Sequence, residues 1–284
     1  MKLMIGAPWY TGPDQDTYHL YFDHCAYYGA LRERSLWRSR AGKENFDKIL
    51  PLLPPLDEHG ADVGWGEPSA QEWDDLGELQ LALNNRGRIS LVGKAREMIA
   101  EDALDWGADY LLSWDADMLF PHWAFLQLWR AKKPVVAALA FTARPPFVPV
   151  MYKISDKVSR AGTTIYQSDT VLDYPRDQLF GSEDLGGELA FGTGLVLYDM
   201  KVFRELPKPW FNTTGAGEDW FFCHRCAEYG IPRYVDTRVK TIHKEHTPRW
   251  VGEESYWRDR ELRADEYKKL YGDSVRRVEG GKLV

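Results

Sequence analysis

Asp115 and Asp117, one residue apart, follow the apolar run Tyr110-Leu111-Leu112-Ser113-Trp114. Read as a buried parallel strand, that run delivers both carboxylates to the strand's carboxyl end, where open α/β sheets bind ligands. Alternation along an extended chain puts residues i and i+2 on the same side, so the two acids are expected to converge on one cation. Two carboxylates with phosphate oxygens make a Mg²⁺ or Mn²⁺ site. A further acidic pair, Glu218-Asp219, follows Gly215-Ala216-Gly217, where glycines enter a helix. Acids at a helix start complement the macrodipole, and beside a phosphate-bearing cleft one could instead serve as general base toward an acceptor hydroxyl; the residues alone leave both readings open. Downstream, Thr241-Ile242-His243-Lys244-Glu245-His246 offers imidazoles. A neutral imidazole would complete a mixed oxygen and nitrogen site suited to Mn²⁺, with His243 the first choice and His246 the reserve.

These residues need a scaffold, and the chain supplies an alternation of short strands and helices. Lys2 to Pro8 reads as a first strand, ended by Pro8 and the turn-forming Trp9-Tyr10-Thr11-Gly12-Pro13. A helix follows over His19 to Arg34, and Leu50 to Gly77, rich in Pro, Gly and acids around Trp65 and Trp73, reads as loop with one short strand. Ala95, Ile99, Ala103 and Trp106 recur at helical spacing, with Gly107 placed to stop the helix before the aspartate strand. Beyond Phe120-Pro121 comes a helix to about Lys133, then a buried strand over Pro134 to Ala140 and an irregular, proline-rich loop from Phe141 to Pro149 carrying Arg144. Tyr152 to Asp184 suggests a hairpin or flap, Gly192-Thr193-Gly194 opens the apolar run Leu195 to Tyr198, and Glu218 to Tyr229 is helical. Tyr234 to Thr241 is extended, and the charged tail from Glu253 reads as a surface-packed helix with a frayed end.

Composition narrows the function classes. A chain of 284 residues can bury a full core. Its formal charge of −7 gives no general attraction to nucleic acid or anionic membranes. The apolar run at Met1 to Pro8 is too short for a signal peptide, and no later stretch approaches the ~20 apolar residues of a membrane span, so a cytoplasmic protein is expected. Cys223 and Cys226 form a C-x-x-C without a second ligand pair and read as small, semi-buried helix residues. Trp114, Trp210 and Trp220 are read as packing residues first and acceptor contacts second.

Taken in chain order, Asp115-Ala116-Asp117, Phe191-Gly192-Thr193-Gly194, Glu218-Asp219 and His243, with the Arg-bearing helix Ala95-Arg96-Glu97 before the first of them, resemble the metal-dependent GT-A glycosyltransferases, especially the family-2-like group. The resemblance runs from about Lys2 to His246. It implies an α/β fold of the GT-A type: a Rossmann-like, mixed but mostly parallel sheet flanked by helices. The implied organisation is one catalytic domain over 1–250, a nucleotide-binding half (1–118) joined to an acceptor-binding half (119–250), and a helical extension over 251–284.

It also implies roles. Asp117 would coordinate Mn²⁺ or Mg²⁺, Asp115 the metal or the donor's ribose, and His243 would supply a ligand from across the cleft. Asp219 would accept the acceptor's proton, with Glu218 in support, a pairing that implies inversion. Gly192 and Gly194 would let backbone approach the donor sugar, their other reading being an ordinary tight turn. Arg96 would reach the diphosphate or nucleotide, or else form a solvent salt bridge. Pro8, Trp9 and Tyr10 would lie where the base is held. The substrates implied are a nucleotide-diphosphate sugar donor and a hydroxyl acceptor. The alternatives are a nucleotidyltransferase on a related scaffold, for which the sequence lacks a glycine-rich Lys/Arg loop near its first strand, and a non-catalytic carbohydrate-binding relative. The opening Ala7-Pro8-Trp9-Tyr10 departs from the threonine-and-asparagine opening of family 2, and the Q-x-x-R-W of processive synthases is absent from the sequence.

Overall fold

The computed structural model describes the chain apart from residues 10–14, 54–55, 57–65, 88–90, 161–162, 213–216, 245–249, 273–275, 277, 280–281 and 284. Tyr10, Trp65, Gly215, Ala216 and His246 therefore lie outside the described residues.

The central element is a seven-stranded sheet built from β1 (Lys2–Trp9), β2 (Gln80–Gly87), β3 (Tyr110–Trp114), β5 (Val135–Leu139), β8 (Leu179–Gly181), β10 (Leu195–Asp199) and β11 (Tyr234–Lys240), in the order β2-β1-β3-β10-β5-β11-β8. β1, β2, β3, β5 and β11 run one way. β10 is antiparallel to both of its neighbours and β8 is antiparallel to β11. The fold is thus mixed α/β with a large, mostly parallel central sheet flanked by helices. Smaller sheets join β4 (Met118–Leu119) to β12 (Ile242–Lys244) and β13 (Trp250–Val251), and β6 (Met151–Arg160) to β7 (Thr163–Thr170) and β9 (Glu188–Phe191).

Period-two alternation decides what each sheet face buries. Met4, Leu111, Ala137, Val196 and Val235 face one core, while Leu3, Ile5, Leu112, Val136 and Leu197 face the other. The second core is covered by α1 (Gln15–Ala41), α3 (Ala70–Leu76) and α5 (Ala124–Arg130), through residues such as Tyr28, Trp73 and Phe125; α2 (Lys43–Ile49) adds Phe46. The first is covered by α4 (Val92–Trp106) through Ile99, Ala100 and Ala103, followed by the short helices α6 (Ser182–Leu185) and α7 (Lys201–Glu205), and by α8 (Glu218–Glu228) through Phe222, Cys223 and Cys226. Gly107, left-handed at φ 73°, ends α4 where the sequence placed its stop.

Some local expectations change. Within 50–77 the described secondary structure is a 3₁₀ turn at Leu50–Leu52 and the helix α3, not a strand. Ser69 and Glu72 form a reciprocal capping box that starts α3. The strand β2 escapes sequence reading because Asn84, Asn85 and Arg86 interrupt the apolar pattern of an edge strand. The tail is not a single surface helix: α9 (Glu253–Leu262) and α10 (Ala264–Tyr271) bury Tyr256, Trp257, Arg260 and Tyr267 in the first core. Among the described residues, no helix is long and apolar enough to cross a membrane.

Candidate active site

The aspartates sit at the carboxyl end of β3, but not as an extended chain would present them. The strand ends at Trp114, and a turn closed by Met118 N–H donating to the Asp115 carbonyl at 3.0 Å follows. Alternation is lost there, so each carboxylate takes a different partner. Asp115 turns toward α4, where Arg96 Nη2 donates to its Oδ1 at 2.5 Å. Asp117, half-exposed, faces His243, whose Nε2 lies 3.1 Å from its Oδ2. The long-range step is a strand pairing: β12 runs antiparallel to β4 with His243 opposite Met118, which carries an imidazole from the far end of the chain to the residue after Asp117.

Arg96 is 3 % exposed, and the bareness of Gly6 puts it there: a side chain at Gly6 on β1 would collide with Ile99 of α4, so glycine lets the helix lie close on the sheet. From this position the guanidinium also reaches Ser113 Oγ at 3.4 Å and faces Glu218 Oε1 at 3.5 Å. The neighbouring Glu97 accepts the backbone N–H groups of Trp210 at 3.0 Å and Phe211 at 2.9 Å. α4 thereby ties both the aspartate strand and the approach to α8. Arg96 is a buried bridge between the two acidic motifs rather than a solvent salt bridge.

α8 begins at Glu218 after Gly217, whose φ of 107° suits glycine alone, and no side chain caps it. Glu218 and Asp219 occupy its first turn. Thr193 Oγ1 donates a short hydrogen bond to Asp219 Oδ1, and a side chain at Gly192 would come within 3.7 Å of Asp219 Oδ2 and 2.7 Å of Val150. A side chain at Gly194 would meet Met118 at 3.1 Å, and the Gly194 carbonyl accepts Asp115 N–H at 2.8 Å. The glycines thus pack the loop against the aspartate turn and under Asp219. Pro8 is buried near the end of β1, two residues beyond Gly6–Ser113, the last pair of β1 with β3; Trp9 ends the strand.

Charge in the cluster is unbalanced. Burial pushes Asp115 up to about 6, and Asp117 and Asp219 push the same way against the pull of Arg96. Burial and the adjacent Asp219 raise Glu218 as well. Burial alone would weaken the Arg96 cation, but Asp115, Asp219 and Glu218 hold it well above its ordinary value. Asp117 is the exception: burial pushes it up, yet the hydrogen bond and charge of His243 take it below the usual carboxylate range. Burial would lower His243, and the bond to Asp117 raises it instead.

Among the described residues no cluster of three or more His, Cys, Asp or Glu could hold a metal ion by itself. Asp117 and His243, hydrogen-bonded to each other, are nevertheless at a separation that two ligands of one ion could share. Two cis ligands of an octahedral ion at about 2.1 Å would be about 3.0 Å apart, and Nε2 of His243 and Oδ2 of Asp117 are 3.1 Å apart. The Phe141 carbonyl, 3.1 Å from Nδ1, can only accept, so it fixes the proton on Nδ1 and aims Nε2 at Asp117. This donor set fits an ion that takes its remaining oxygens from phosphate and water.

Sequence reading missed Thr193, Glu97 and the Phe141 carbonyl. Only Thr193 carried a signal, a hydroxyl between two glycines. Trp114 and Trp210 are buried packing residues, whereas Trp220 is half-buried beside Asp219. Cys223 and Cys226 are fully buried, and burial pushes the Cys223 thiol up to about 11, which suits packing rather than redox or metal chemistry.

No protein-family model and no curated protein matches this sequence. Similar solved structures include A197 from STIV, with 10 % identity, 89 % of this chain and 94 % of that one covered, and a TM-score of 0.45. Others are CMP:2-keto-3-deoxy-manno-octonic acid synthetase complexed with CTP (13 % identity, 83 % and 89 % covered, TM-score 0.34) and residues 1–349 of S. aureus TarS in complex with UDP-GlcNAc (12 % identity, 97 % and 68 % covered, TM-score 0.37).

Proposed function

We propose that the chain is a metal-dependent glycosyltransferase that moves a sugar from a nucleotide-diphosphate donor to a hydroxyl acceptor, with inversion. The observation that carries this reading is the convergence of Asp117 with His243 and of Asp115 with Glu218 through Arg96, at the carboxyl end of β3. Residues from four separate parts of the chain meet there. An excess of acids over cations is the arrangement expected of a site that takes up a cation or a proton.

Asp117 and His243 would hold Mn²⁺ or Mg²⁺, which when bound supplies Lewis-acid stabilisation of charge on the leaving diphosphate. Asp115, held by Arg96, faces the donor as the ribose-binding or second metal-side carboxylate. Pro8, near the end of β1, borders the base, and Gly192 and Gly194 keep the adjoining loop close to the sugar. Asp219 is the general base. Thr193 fixes its Oδ1, and Oδ2 takes the acceptor's proton as the hydroxyl oxygen attacks the anomeric carbon. Glu218 supports the base and contacts the acceptor.

The test uses a panel of UDP-, GDP-, dTDP- and CMP-sugars with Mn²⁺, read by release of free nucleotide. Asp219→Asn should lower turnover by about 10²–10⁴-fold while UDP and Mn²⁺ together still raise Tm by more than the sum of their separate effects, through linkage. Additive thermal shifts in the wild type would remove the metal–diphosphate site. Turnover undiminished in Asp219→Asn would remove the base. Release of pyrophosphate from a nucleoside triphosphate and sugar phosphate would instead indicate a nucleotidyltransferase.

A further inference from the structure

Aromatic rings that the transfer chemistry does not use border Asp219. Trp220 follows it on α8, and its ring centroid lies 5.0 Å from that of Tyr152 at 42°. His224, one turn on, meets the Trp220 ring at 5.6 Å and 33°. Tyr152 reaches this position from β6, which pairs with β9 so that Tyr152 stands opposite Ala190 and Met151 opposite Phe191, the residue before Gly192 and Thr193. Tyr152 and Trp220 are half-buried and pack on the first core, as does Tyr271 at the end of α10. Burial first, then the charges of Asp219 and Tyr271, raise the Tyr152 phenol above its ordinary value, so its ring stands within electrostatic reach of the base and of the C-terminal helix.

Rings that keep part of their surface exposed next to Asp219, one of them carrying a phenol hydroxyl, suit a ligand with a flat C–H face and hydroxyls around its rim. A pyranose has that form. An anionic acceptor, such as nucleic acid or a phosphorylated lipid, would approach Asp115, Asp117, Glu218 and Asp219 while the guanidinium of Arg96 is already engaged.

We propose, resting on the transferase reading above, that Tyr152 and Trp220 form the acceptor subsite and that the acceptor is a neutral saccharide stacked there by a pyranose face. One of its hydroxyl oxygens bonds to the donor's anomeric carbon as the bond from that carbon to the diphosphate oxygen breaks. The hydroxyl proton passes to Asp219, and the bonding electron pair leaves with the nucleoside diphosphate.

The probes are methyl glucosides, galactosides, mannosides and N-acetylglucosaminides, with glycerol and N-acetylserinamide as non-saccharide alcohols. With whichever nucleotide sugar is turned over, at least one pyranoside should be glycosylated in preference to both alcohols. Trp220→Ala should raise the KM for that pyranoside about tenfold with a smaller change in kcat, and Trp220→Phe should restore most of it. Glycerol or N-acetylserinamide accepted as well as any pyranoside, or an unchanged KM in Trp220→Ala, overturns the proposal. Should Trp220→Ala fail to fold, Tyr152→Leu gives the same readout from the other ring. If no donor is turned over, the transferase reading fails by itself. Calorimetric binding of the methyl pyranosides to the wild-type protein then decides the subsite: binding that Trp220→Phe keeps and Trp220→Ala loses supports it, and no binding overturns it.

Discussion

Two sites in this molecule pair buried carboxylates with cations and end in opposite electrostatic states. At the start of α9, Glu253 is 6 % exposed and receives Lys240 Nζ at 2.7 Å, the Tyr174 hydroxyl at 2.8 Å and Arg176 Nε at 3.2 Å. Burial pushes it up, but the bonds from Lys240 and Tyr174 pull it below the usual carboxylate range. Around Arg96, by contrast, Asp115, Glu218 and Asp219 crowd one guanidinium, and both Asp115 and Glu218 are pushed up. Where the fold needs only a clamp for its C-terminal helices, the buried acid has two cations, one of which it shares with the exposed Asp177 at 3.1 Å. Where acids outnumber the cation, local stability is given up, and the proposed function rests on reading that excess as a site for a ligand.

The sharpest way to test this contrast is to remove the cation. Arg96→Met would leave Asp115, Glu218 and Asp219 without their central partner, and breaking one side of a buried ion pair costs about 3–5 kcal/mol. Urea unfolding should show that loss as a lower midpoint with an unchanged slope. A variant within about 1 kcal/mol of wild type would mean that the acids need no cation and that the cluster is not crowded.

The clamp should respond less strongly and with a definite pH dependence. Glu253→Gln keeps the shape and removes the charge, at a cost of about 1–3 kcal/mol, since Lys240 is partly solvated. Because the fold holds Glu253 below its unfolded value near 4.5, its contribution is present above that pH and lost as pH falls through the folded value. The stability gap between wild type and Glu253→Gln, measured by urea unfolding at pH 7, 4.5 and 3, should close on acidification. A gap that stays constant or widens would show that the charge is not what makes the clamp.

The difference between these clusters also marks what the sequence could convey. Strand β3, helix α4 with its Gly107 stop, and the acid-bearing start of α8 were readable because period, punctuation and residue type agree locally. The pairing of His243 with Met118 is a contact across 125 residues, and no local pattern encodes its register. Arg96 was visible as a cation on a helix. Its burial depends on Gly6 admitting α4 to the sheet, a relation between elements that sequence periodicity does not contain. The turn at Asp115–Met118 defeated the alternation argument because strand geometry ends one residue before the acids begin. The clamp went unread altogether: Tyr174, Arg176, Lys240 and Glu253 are scattered, and the charge of the tail resembles a solvated surface until Tyr256 and Trp257 are seen buried.

The smallest expected effect is the one that separates the clusters by sign. Glu218 is 14 % exposed at its side chain and is raised by burial and by Asp219, so the folded protein takes up its proton more readily than the unfolded chain. Such a group lowers stability at neutral pH, and the penalty disappears as pH falls below the unfolded value near 4.5. The ion pair with Arg96, at 3.5 Å, offsets part of that penalty. Glu218→Gln should therefore be as stable as wild type at pH 7 or more stable by up to about 1 kcal/mol, with the difference fading toward pH 4. On the proposed function its turnover should nonetheless fall, because Glu218 is there assigned to the acceptor beside Asp219. A loss of stability at pH 7 comparable with that of Glu253→Gln would make the two clusters electrostatically alike and remove the reason to read excess acid as function.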